Sequence, residues 1–166
     1  MKRSLLAVTL AVVSTSAAFA QSTIKIGEIN SYKAQPAFLE PYKKGWELAQ
    51  DEINKAGGVN GKKLETIFRD DNGTPGDAVR AAEELVSREK VALISGTFLS
   101  NVGLAVGDFA KQRKVLFIAS EPLSDKVTWG NGNAYTYRLR ASTYMQTTML
   151  VPEAAKLNKK RWGIVY

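Results

Sequence analysis

The chain has 166 residues and a formal net charge of +7, with 45% hydrophobic residues, no histidine and no cysteine. This length is enough to bury one core, and the missing cysteines exclude disulfides and a lipid-anchored leader. The absence of histidine and cysteine also removes the commonest metal ligands, no phosphate-binding glycine motif occurs, and we therefore expect no metal and no cofactor. Lysines form scattered pairs rather than one basic face, which argues against nucleic-acid binding.

The first twenty residues have the pattern of a secretory signal peptide. Lys2 and Arg3 precede an apolar run at residues 5–13, and Ala18-Phe19-Ala20 forms a small-x-small cleavage site. The apolar run is shorter than the roughly 20 residues that a membrane span needs. The sequence therefore predicts cleavage after Ala20, export to the periplasm, and a mature charge of +5 once Lys2 and Arg3 are lost from the +7.

The rest of the sequence alternates strand and helix patterns. Predicted strands cover residues 24–29, 63–69, 91–95, 115–119, 135–140 and 161–166, and predicted helices cover residues 41–56, 74–88, 100–113 and 143–157. Pro152 lies inside the last helix and is expected to kink it or to start a new segment. Repeated β-α-β units predict an α/β fold, a doubly wound parallel sheet with helices on both faces.

Two local patterns refine this prediction. Thr74 is expected to cap the second helix, with Pro75 in the first helical position and Asp77 completing a box-like pattern. Core positions are predicted from helical spacing, from strand alternation and from the continuously apolar run at residues 115–119, which indicates a strand covered on both faces. The other predicted core residues are Trp46, Ala49, Ile53, Tyr135 and Tyr137.

A polar turn at residues 95–97 interrupts the passage from the third strand to the third helix. Phe98 and Leu99 follow it, and Ser100-Asn101 stands at the head of the helix. Ligands of doubly wound sheets lie at the carboxyl ends of the strands, and a helix N-terminus offers unpaired N–H groups to an anion. The turn is therefore predicted to face a small anionic group, although Ser100 as an ordinary helix cap is the alternative.

At this point the sequence resembles a known family. The segment Asp51–Leu64 reads D-x-I-N-x-x-G-G-V-x-G-K-x-L, and the Asp70-Asp71 pair precedes an N-G-T-P helix start. Both patterns, with IKIGEINS at the first strand, resemble the type I periplasmic binding proteins of the leucine/isoleucine/valine family, which are receptors of ABC importers. The resemblance runs from residue 24 to 166 and implies two α/β lobes that close around a ligand, with an ABC permease as partner.

The resemblance also implies a division of the chain. Residues 21–140 would form the first lobe, and residues 141–166 would contribute a crossover helix and the first strand of the second lobe. An apolar strand at residues 161–166 with nothing after it would leave an uncovered edge, so we expect the natural sequence to continue beyond Tyr166. One lobe alone is expected to bind its ligand weakly or not at all.

The resemblance suggests which residues contact a small amino acid or related carboxylate. Ser100 matches the serine that contacts the ligand carboxylate, and Glu121 matches a small residue whose backbone contacts the ligand. Leu123 stands where amino-acid binders carry a threonine, Asn101 stands where a small hydroxylated residue is usual, and Phe38 lies near an aromatic of the first loop. With Phe98 and Leu99, these departures leave an aromatic acid open as the ligand.

Several alternatives remain at the level of sequence. Glu121 is expected to pair with a ligand ammonium group, with Lys126 or with Arg113, or to be solvated. Asp70-Asp71 is predicted to form a structural turn rather than a phosphoacceptor or metal pocket. An exported enzyme would have only Glu121 and Asp70 as an acid-base pair, since no histidine exists to activate a serine. A ligand-sensing receptor domain would use the same fold.

Overall fold

The computed structural model describes residues 23–163. The predicted signal peptide and residues 164–166 of the last predicted strand therefore lie outside the described residues. The strands are β1 (Ile24–Asn30), β2 (Leu64–Asp70), β3 (Leu93–Gly96), β4 (Leu116–Ala119) and β5 (Thr136–Arg138). The helices are α1 (Pro36–Lys55), α2 (Pro75–Glu84), α3 (Ser100–Arg113) and α4 (Thr143–Lys156), with a π-helical turn at Leu85–Glu89 and a 3-10 turn at Asp125–Val127.

The five strands form one parallel sheet in the order β2-β1-β3-β4-β5. The register is continuous across the sheet: Glu28 of β1 lies beside Phe68 and Ser95, Ser95 beside Ile118, and Ile118 beside Tyr137. This row fixes which side chains share a face, because alternate residues of a strand point to opposite sides. The predicted α/β fold with a parallel sheet is confirmed.

One side of the sheet, the closed face, is covered by α2 and α3. Its buried residues come from both helices and from the strands beneath them, and form one apolar cluster. Small residues let these helices lie close to the sheet and to each other, and the larger side chains fill the space between. Residues of the cluster without any exposed surface are Ile29, Ala78, Ala82, Leu85, Ile94, Val102, Val106, Ala110, Phe117 and Ala119.

The other side, the open face, carries α1 over β1 and β2, with the Lys43 ammonium 5.0 Å from the centre of the Phe68 ring. Within α1 only Leu39 is fully buried, and Leu48 is 61% exposed. Toward β4 and β5 this side is partly in solvent, with Tyr137 of β5 56% exposed and Leu139, just after β5, 75% exposed. Some predictions of burial were therefore wrong. Ala49, Ile53 and Tyr137 are exposed, and Trp46 is half-buried. The run at residues 115–119 is not covered on both faces, since Phe117 and Ala119 are buried but Leu116 is exposed.

The helix boundaries show how prolines were misread from sequence. α1 begins at Pro36, not at Pro41, and Pro41 lies inside the helix. Pro36 occupies the first turn, where a missing N–H costs nothing. Pro152 also lies inside α4, which runs from Thr143 to Lys156 with Ser142 as its cap, so Pro152 does not begin a new segment, and a kink at this residue stays a prediction.

At α2, Thr74 accepts a hydrogen bond from the Asp77 N–H at 3.3 Å, which confirms the predicted cap. The reciprocal half of the box is absent, because the Asp77 carboxylate accepts from the Asn72 amide at 3.0 Å and pairs with Arg80.

Beyond the helices, residues 161–163 are not in a strand, and α4 has no buried residue. None of the helices in residues 23–163 combines the length and apolar character needed to cross a membrane.

Candidate ligand-binding site

A cavity of about 210 Å³ opens at the carboxyl ends of β3, β4 and β5. It is the place where a doubly wound sheet holds its ligand. Three of the five residues singled out from sequence, Ser100, Glu121 and Leu123, line it together. The remaining lining residues are Phe98, Leu99 and Arg140.

The chain reaches this cavity through a tight exit from β3. Gly96 has φ +111°, and a Cβ on it would lie 2.2 Å from the Ile29 carbonyl oxygen, so only glycine fits. Thr97 follows with φ +65°, and its N–H donates to the same carbonyl at 2.6 Å. The turn thus ends β3 and is followed directly by Phe98, Leu99 and Ser100 at the cavity wall.

Ser100 is the first residue of α3, after Leu99 in extended conformation. It is not a cap, because its hydroxyl accepts a hydrogen bond from the Ser124 N–H at 3.1 Å rather than from its own helix. The first intrahelical bond reaches back from the Gly103 N–H to the Leu99 carbonyl at 2.9 Å. The N–H groups of the preceding helical turn are the donors that an α-helix leaves unpaired, and they favour an anion at this point.

The loop after β4 forms the opposite wall. Arg138 donates from its guanidinium to the carbonyl oxygens of Pro122 and Ser124. Pro122 is buried against α3, where a Cβ on Gly103 would lie 2.5 Å from the proline ring. These contacts fix the loop, and with it the positions of Glu121 and Leu123.

Glu121 pairs with Arg140, whose nearest nitrogen lies 3.7 Å from a carboxylate oxygen of Glu121. The side chain of Glu121 is 17% exposed and that of Arg140 is 46% exposed. Burial raises the pKa of Glu121, and the Arg140 guanidinium partly opposes that rise. Of the alternatives that the sequence left open for Glu121, the structure shows no ion pair with Lys126 or Arg113, and Arg113 bonds Glu83 at 3.0 Å.

Two sequence-predicted residues lie outside the cavity lining. Phe38 is 64% exposed and packs against Phe98 of the lining, with ring centres 5.6 Å apart. Asn101 is exposed on the first turn of α3. Contact of either residue with a ligand stays a prediction.

A second polar cluster is buried next to the turn, beneath α1. Glu28 has no exposed surface and accepts hydrogen bonds from the Tyr32 hydroxyl and from the Asn30 amide, the latter at 3.3 Å. Burial raises the pKa of Glu28 to about 8, although these hydrogen bonds act to lower it. Tyr42 donates to the Ser120 hydroxyl at 3.2 Å, which ties α1 to the residue before Glu121.

Asp70 and Asp71 form a structural turn, as the sequence predicted. Asp70 accepts from the backbone N–H groups of Lys33 and Asn72 at 2.9 and 2.7 Å. Asp71 accepts from the Ser31 hydroxyl and the Gly73 N–H at 2.6 and 2.8 Å. Across residues 23–163 no group of three or more His, Cys, Asp or Glu side chains is placed to hold a metal ion.

Sequence reasoning missed Arg138 and Arg140. The signal was present, because both arginines belong to the segment YTYRLR, in the second half of a predicted strand, and strand ends are where this fold places its site. Arginine is also the side chain best suited to a carboxylate, since its planar fork can donate two parallel bonds. The completed cavity offers a cation, a carboxylate, unpaired helix amides and an apolar wall, which suits noncovalent binding of a small charged molecule.

Comparison with known proteins gives a consistent result. The sequence profile described as "Periplasmic binding protein" matches residues 23–166. A Leu/Ile/Val-binding protein homolog of Brucella suis is 32% identical over 129 residues, which are 77% of this chain and 32% of that protein. The chain spans about a third of the length of such relatives.

Solved structures agree. The branched-chain amino acid transporter substrate-binding protein LivJ of Streptococcus pneumoniae, in complex with isoleucine, is 30% identical with a TM-score of 0.67, over 73% of this chain and 34% of that one. A solute-binding protein of an ABC transporter from Rhodopseudomonas palustris, in complex with 3,4-dihydroxybenzoic acid, is 28% identical with a TM-score of 0.70, over 82% and 36%.

Proposed function

Because this chain belongs to the periplasmic binding protein family, we propose that it is the extracytoplasmic substrate-binding component of an ABC importer. Its ligand is a small amino acid or related carboxylate, held in the cavity at the carboxyl ends of β3, β4 and β5. The membrane permease of the importer is its partner. Export through the N-terminal signal sequence, cleaved after Ala20, would deliver it to the periplasm.

The observation that carries this proposal is the composition of the cavity. One small cavity is lined by the start of α3, with its unpaired amides, by Arg140 with its guanidinium, and by the apolar side chains of Phe98 and Leu123. Such a set binds a carboxylate at one end and an apolar group at the other. It contains no histidine or cysteine, and the Glu121 carboxylate faces an arginine rather than a hydroxyl nucleophile, so we propose binding without catalysis.

The mechanism is closure of two lobes. Residues 21–140 would form the first lobe and residues 141–166 would begin the second, whose inner surface completes the ligand contacts. Ligand first occupies the wall that this chain provides and then shifts the population toward the closed form, which the permease recognises. With only the first lobe present, the dissociation constant is expected in the millimolar range, because the contacts that the second lobe would make with the ligand are missing from the binding free energy.

An aromatic acid is the second candidate ligand. Phe98 and Phe38 form a tilted aromatic pair at the mouth of the cavity, and Leu123 replaces a hydroxyl with an apolar surface. The relative from Rhodopseudomonas palustris was solved with 3,4-dihydroxybenzoic acid, which gives this candidate a precedent in the family.

The experiment that tests the proposal is a ligand titration followed by ¹⁵N NMR, with the protein expressed from its full 166-residue sequence. Amino acids and small aromatic acids are added separately. The backbone amide signals of residues 98–102 and of Glu121, Leu123 and Ser124 should move in a saturable manner, while those of residues 105–113, further along α3, should stay in place. If a compound of either class moves the signals of residues 105–113 and leaves the cavity signals in place, the proposed site is wrong.

A further inference from the structure

We propose that Glu28 is a proton-linked positioning residue for the walls of the cavity. While its carboxyl is protonated, the Tyr42 hydroxyl donates to Ser120, and loss of the carboxyl proton to solvent turns that hydroxyl toward Glu28. Ser120 then loses its contact with α1, and the loop that it begins shifts at the cavity. The effect on ligand binding rests on the proposed function, whereas the movement of the loop does not, so the titration that tests it contains no ligand.

The burial of Glu28 is the first support. Glu28 has no exposed surface, and within residues 23–163 no lysine or arginine forms an ion pair with it. An ionised carboxylate in such a place is costly, because neither water nor a cation compensates its charge. Burial accordingly raises the pKa of Glu28 to about 8, so the carboxyl is protonated at neutral pH.

The charges on the neighbouring elements do not offset that cost. Asp71, just after β2, adds a negative charge that raises the pKa of Glu28 further. From α1, the Lys43 ammonium lies over the Phe68 ring and pairs with Glu47 at 3.9 Å. The strands β3 and β4 contain no charged residue. The neutral carboxyl is therefore the form that these surroundings favour.

Two tyrosines supply hydroxyl groups to the cluster. The Tyr32 hydroxyl donates to a carboxyl oxygen of Glu28, and the Tyr42 hydroxyl is within hydrogen-bonding reach of both Glu28 and Ser120. Burial raises the pKa of both tyrosines, and the charge of Glu28 adds to the rise, as that of Asp70 does for Tyr32. Each tyrosine therefore keeps its single hydroxyl proton, and Tyr42 can donate it to one acceptor at a time.

The single proton of Tyr42 makes its two contacts alternatives. Beside a neutral Glu28, Tyr42 donates to the Ser120 hydroxyl at 3.2 Å. A hydrogen bond to an ionised carboxylate is roughly twice as strong as one between neutral groups, so the Tyr42 proton turns to Glu28 once that carboxyl ionises. Ionisation of Glu28 therefore breaks the bond between α1 and Ser120.

Ser120 and the exit of β3 connect this cluster to the cavity. Ser120 directly precedes Glu121 of the lining, and the Ser120 N–H donates to the Gly96 carbonyl at 2.9 Å. Gly96 lies against Glu28, because a Cβ on Gly96 would collide with a carboxyl oxygen of Glu28. Thr97 follows Gly96 and leads into the other wall. Both walls are therefore joined to the group that changes its charge.

The test is a pH titration of the ligand-free 166-residue chain, followed by NMR between about pH 4 and pH 10. Glutamate labelled with ¹³C at its carboxyl carbon reports the ionisation of Glu28 directly, and Glu28→Gln assigns its signal. The amide signals of Thr97 and Ser120 report the two walls. Both amides are buried and donate to backbone carbonyls, so they exchange slowly enough with water to be followed at high pH.

In the wild type, the Glu28 carboxyl and the amides of Thr97 and Ser120 should titrate together, with a midpoint near pH 8. Glu28→Gln should stop the movement of both amides in this range, because the group that ionises is gone. Any titration of Asp71, the other carboxyl that faces the cluster, would persist in Glu28→Gln and is thereby distinguished.

Tyr42→Phe separates the two walls. It removes the hydroxyl between Glu28 and Ser120, and should largely remove the movement of the Ser120 amide while the Thr97 amide continues to move. Matched controls are Glu65→Gln, at an exposed position of β2, and Tyr137→Phe, at an exposed position of β5. Both controls should titrate as the wild type does.

Three results would overturn the proposal. If the Glu28 carboxyl titrates near its ordinary value of 4.5, Glu28 is ionised at neutral pH and has no proton to lose. If it titrates near pH 8 while the amides of Thr97 and Ser120 stay in place, its charge is not coupled to the walls. If those amides move equally in Glu28→Gln, another group moves them. Each of these results leaves the proposed function standing, because no ligand is present.

Discussion

The closed face and the open face of the sheet are built from similar helices but reach different degrees of burial. On the closed face, α2 and α3 lie against the sheet with small residues at the contacts, and Leu85, Val102 and Val106 have no exposed surface. On the open face, α1 is the longest helix of residues 23–163, yet Leu39 is its one fully buried residue. Both helices of the closed face touch each other as well as the sheet, whereas α1 packs mainly on β2.

This difference in burial shows that an amphipathic pattern indicates which residues of a helix could be buried. It does not show whether the fold buries them. Trp46 and Ala49 have the spacing of core residues, but with Tyr42 and Gly45 they line a shallow apolar depression on the open face. The same kind of side chain should therefore matter for stability on one face and hardly at all on the other. The following experiments measure that contrast, from the largest expected effect to the smallest.

The sharpest contrast is between two leucines. Leu85→Ala should lower the free energy of unfolding by about 2–5 kcal/mol, because Leu85 is fully buried beneath β1 and its loss leaves a cavity. Leu48→Ala on α1 should change it by no more than about 0.5 kcal/mol, since Leu48 is 61% exposed. Urea unfolding followed by circular dichroism measures both. Equal losses would mean that the two faces do not differ as described.

On the open face, the carboxyl group of Glu28 is completely buried. Its pKa in the folded chain is about 8, above the ordinary value of 4.5, so the folded state holds a proton that the unfolded state has lost between these pH values. Stability from this group is therefore full below pH 4.5 and falls as the pH rises toward 8, by at most about 1.4 kcal/mol per pH unit.

Glu28→Gln removes the titration and should flatten the fall in stability between pH 5 and 7. Urea unfolding of both proteins at several pH values measures the difference between their slopes, in which the other titrating groups cancel. Glu121→Gln serves as a comparison, because that carboxyl is partly exposed. Parallel slopes for the wild type and Glu28→Gln would show that Glu28 is ionised in the folded chain.

Gly103 tests how closely the closed face is packed. Gly103→Ala should destabilise the chain by about 1–3 kcal/mol, because its Cβ would lie 2.5 Å from the Pro122 ring, which cannot rotate away. Gly107→Ala in the same helix is the control, since its Cβ would meet Thr136 at an ordinary 3.4 Å. Thermal unfolding compares the two, and an equal or smaller effect at Gly103 would contradict the close approach of α3 to Pro122.

The smallest expected effect has the opposite sign and lies on the open face. Gly45 is inside α1, and no atom lies within 4 Å of the position of a Cβ on it. Gly45→Ala should therefore stabilise the chain by about 0.5–1 kcal/mol through helix propensity alone. A loss of stability in thermal unfolding would show that something covers this part of α1 in solution.

The sequence was sufficient for the elements and their order, because strand alternation, capping at Thr74 and the Gly57-Gly58 stop are local signals. It was insufficient where the outcome depends on distant parts of the chain. Pro41 was taken as a helix start because proline favours the first turn, but Pro36 serves that role five residues earlier. The exposure of Tyr137 and Ile53 could not be predicted, since it follows from which sheet face lacks a second helix.

The candidate site was predicted in part for the same reason. Ser100, Glu121 and Leu123 follow from the rule that ligands lie at strand ends, and they do line one cavity. Arg140 was missed because that rule was not applied to β5. The partner of Glu121 could not be chosen from sequence among several cations, since only the folded chain brings residues 121 and 140 together.

The central place of β1 in the sheet has a consequence for how the chain folds. β1 pairs with β2 on one side and with β3 on the other, so Ile26 must meet Leu93, far along the sequence. Parallel pairings of this kind close long loops before any contact rewards them, and they make folding slow. A chain that emerges from its amino end therefore leaves the β3 edge of β1 unpaired until the segment around residue 96 has followed, and it is open to aggregation or chaperone binding during that interval.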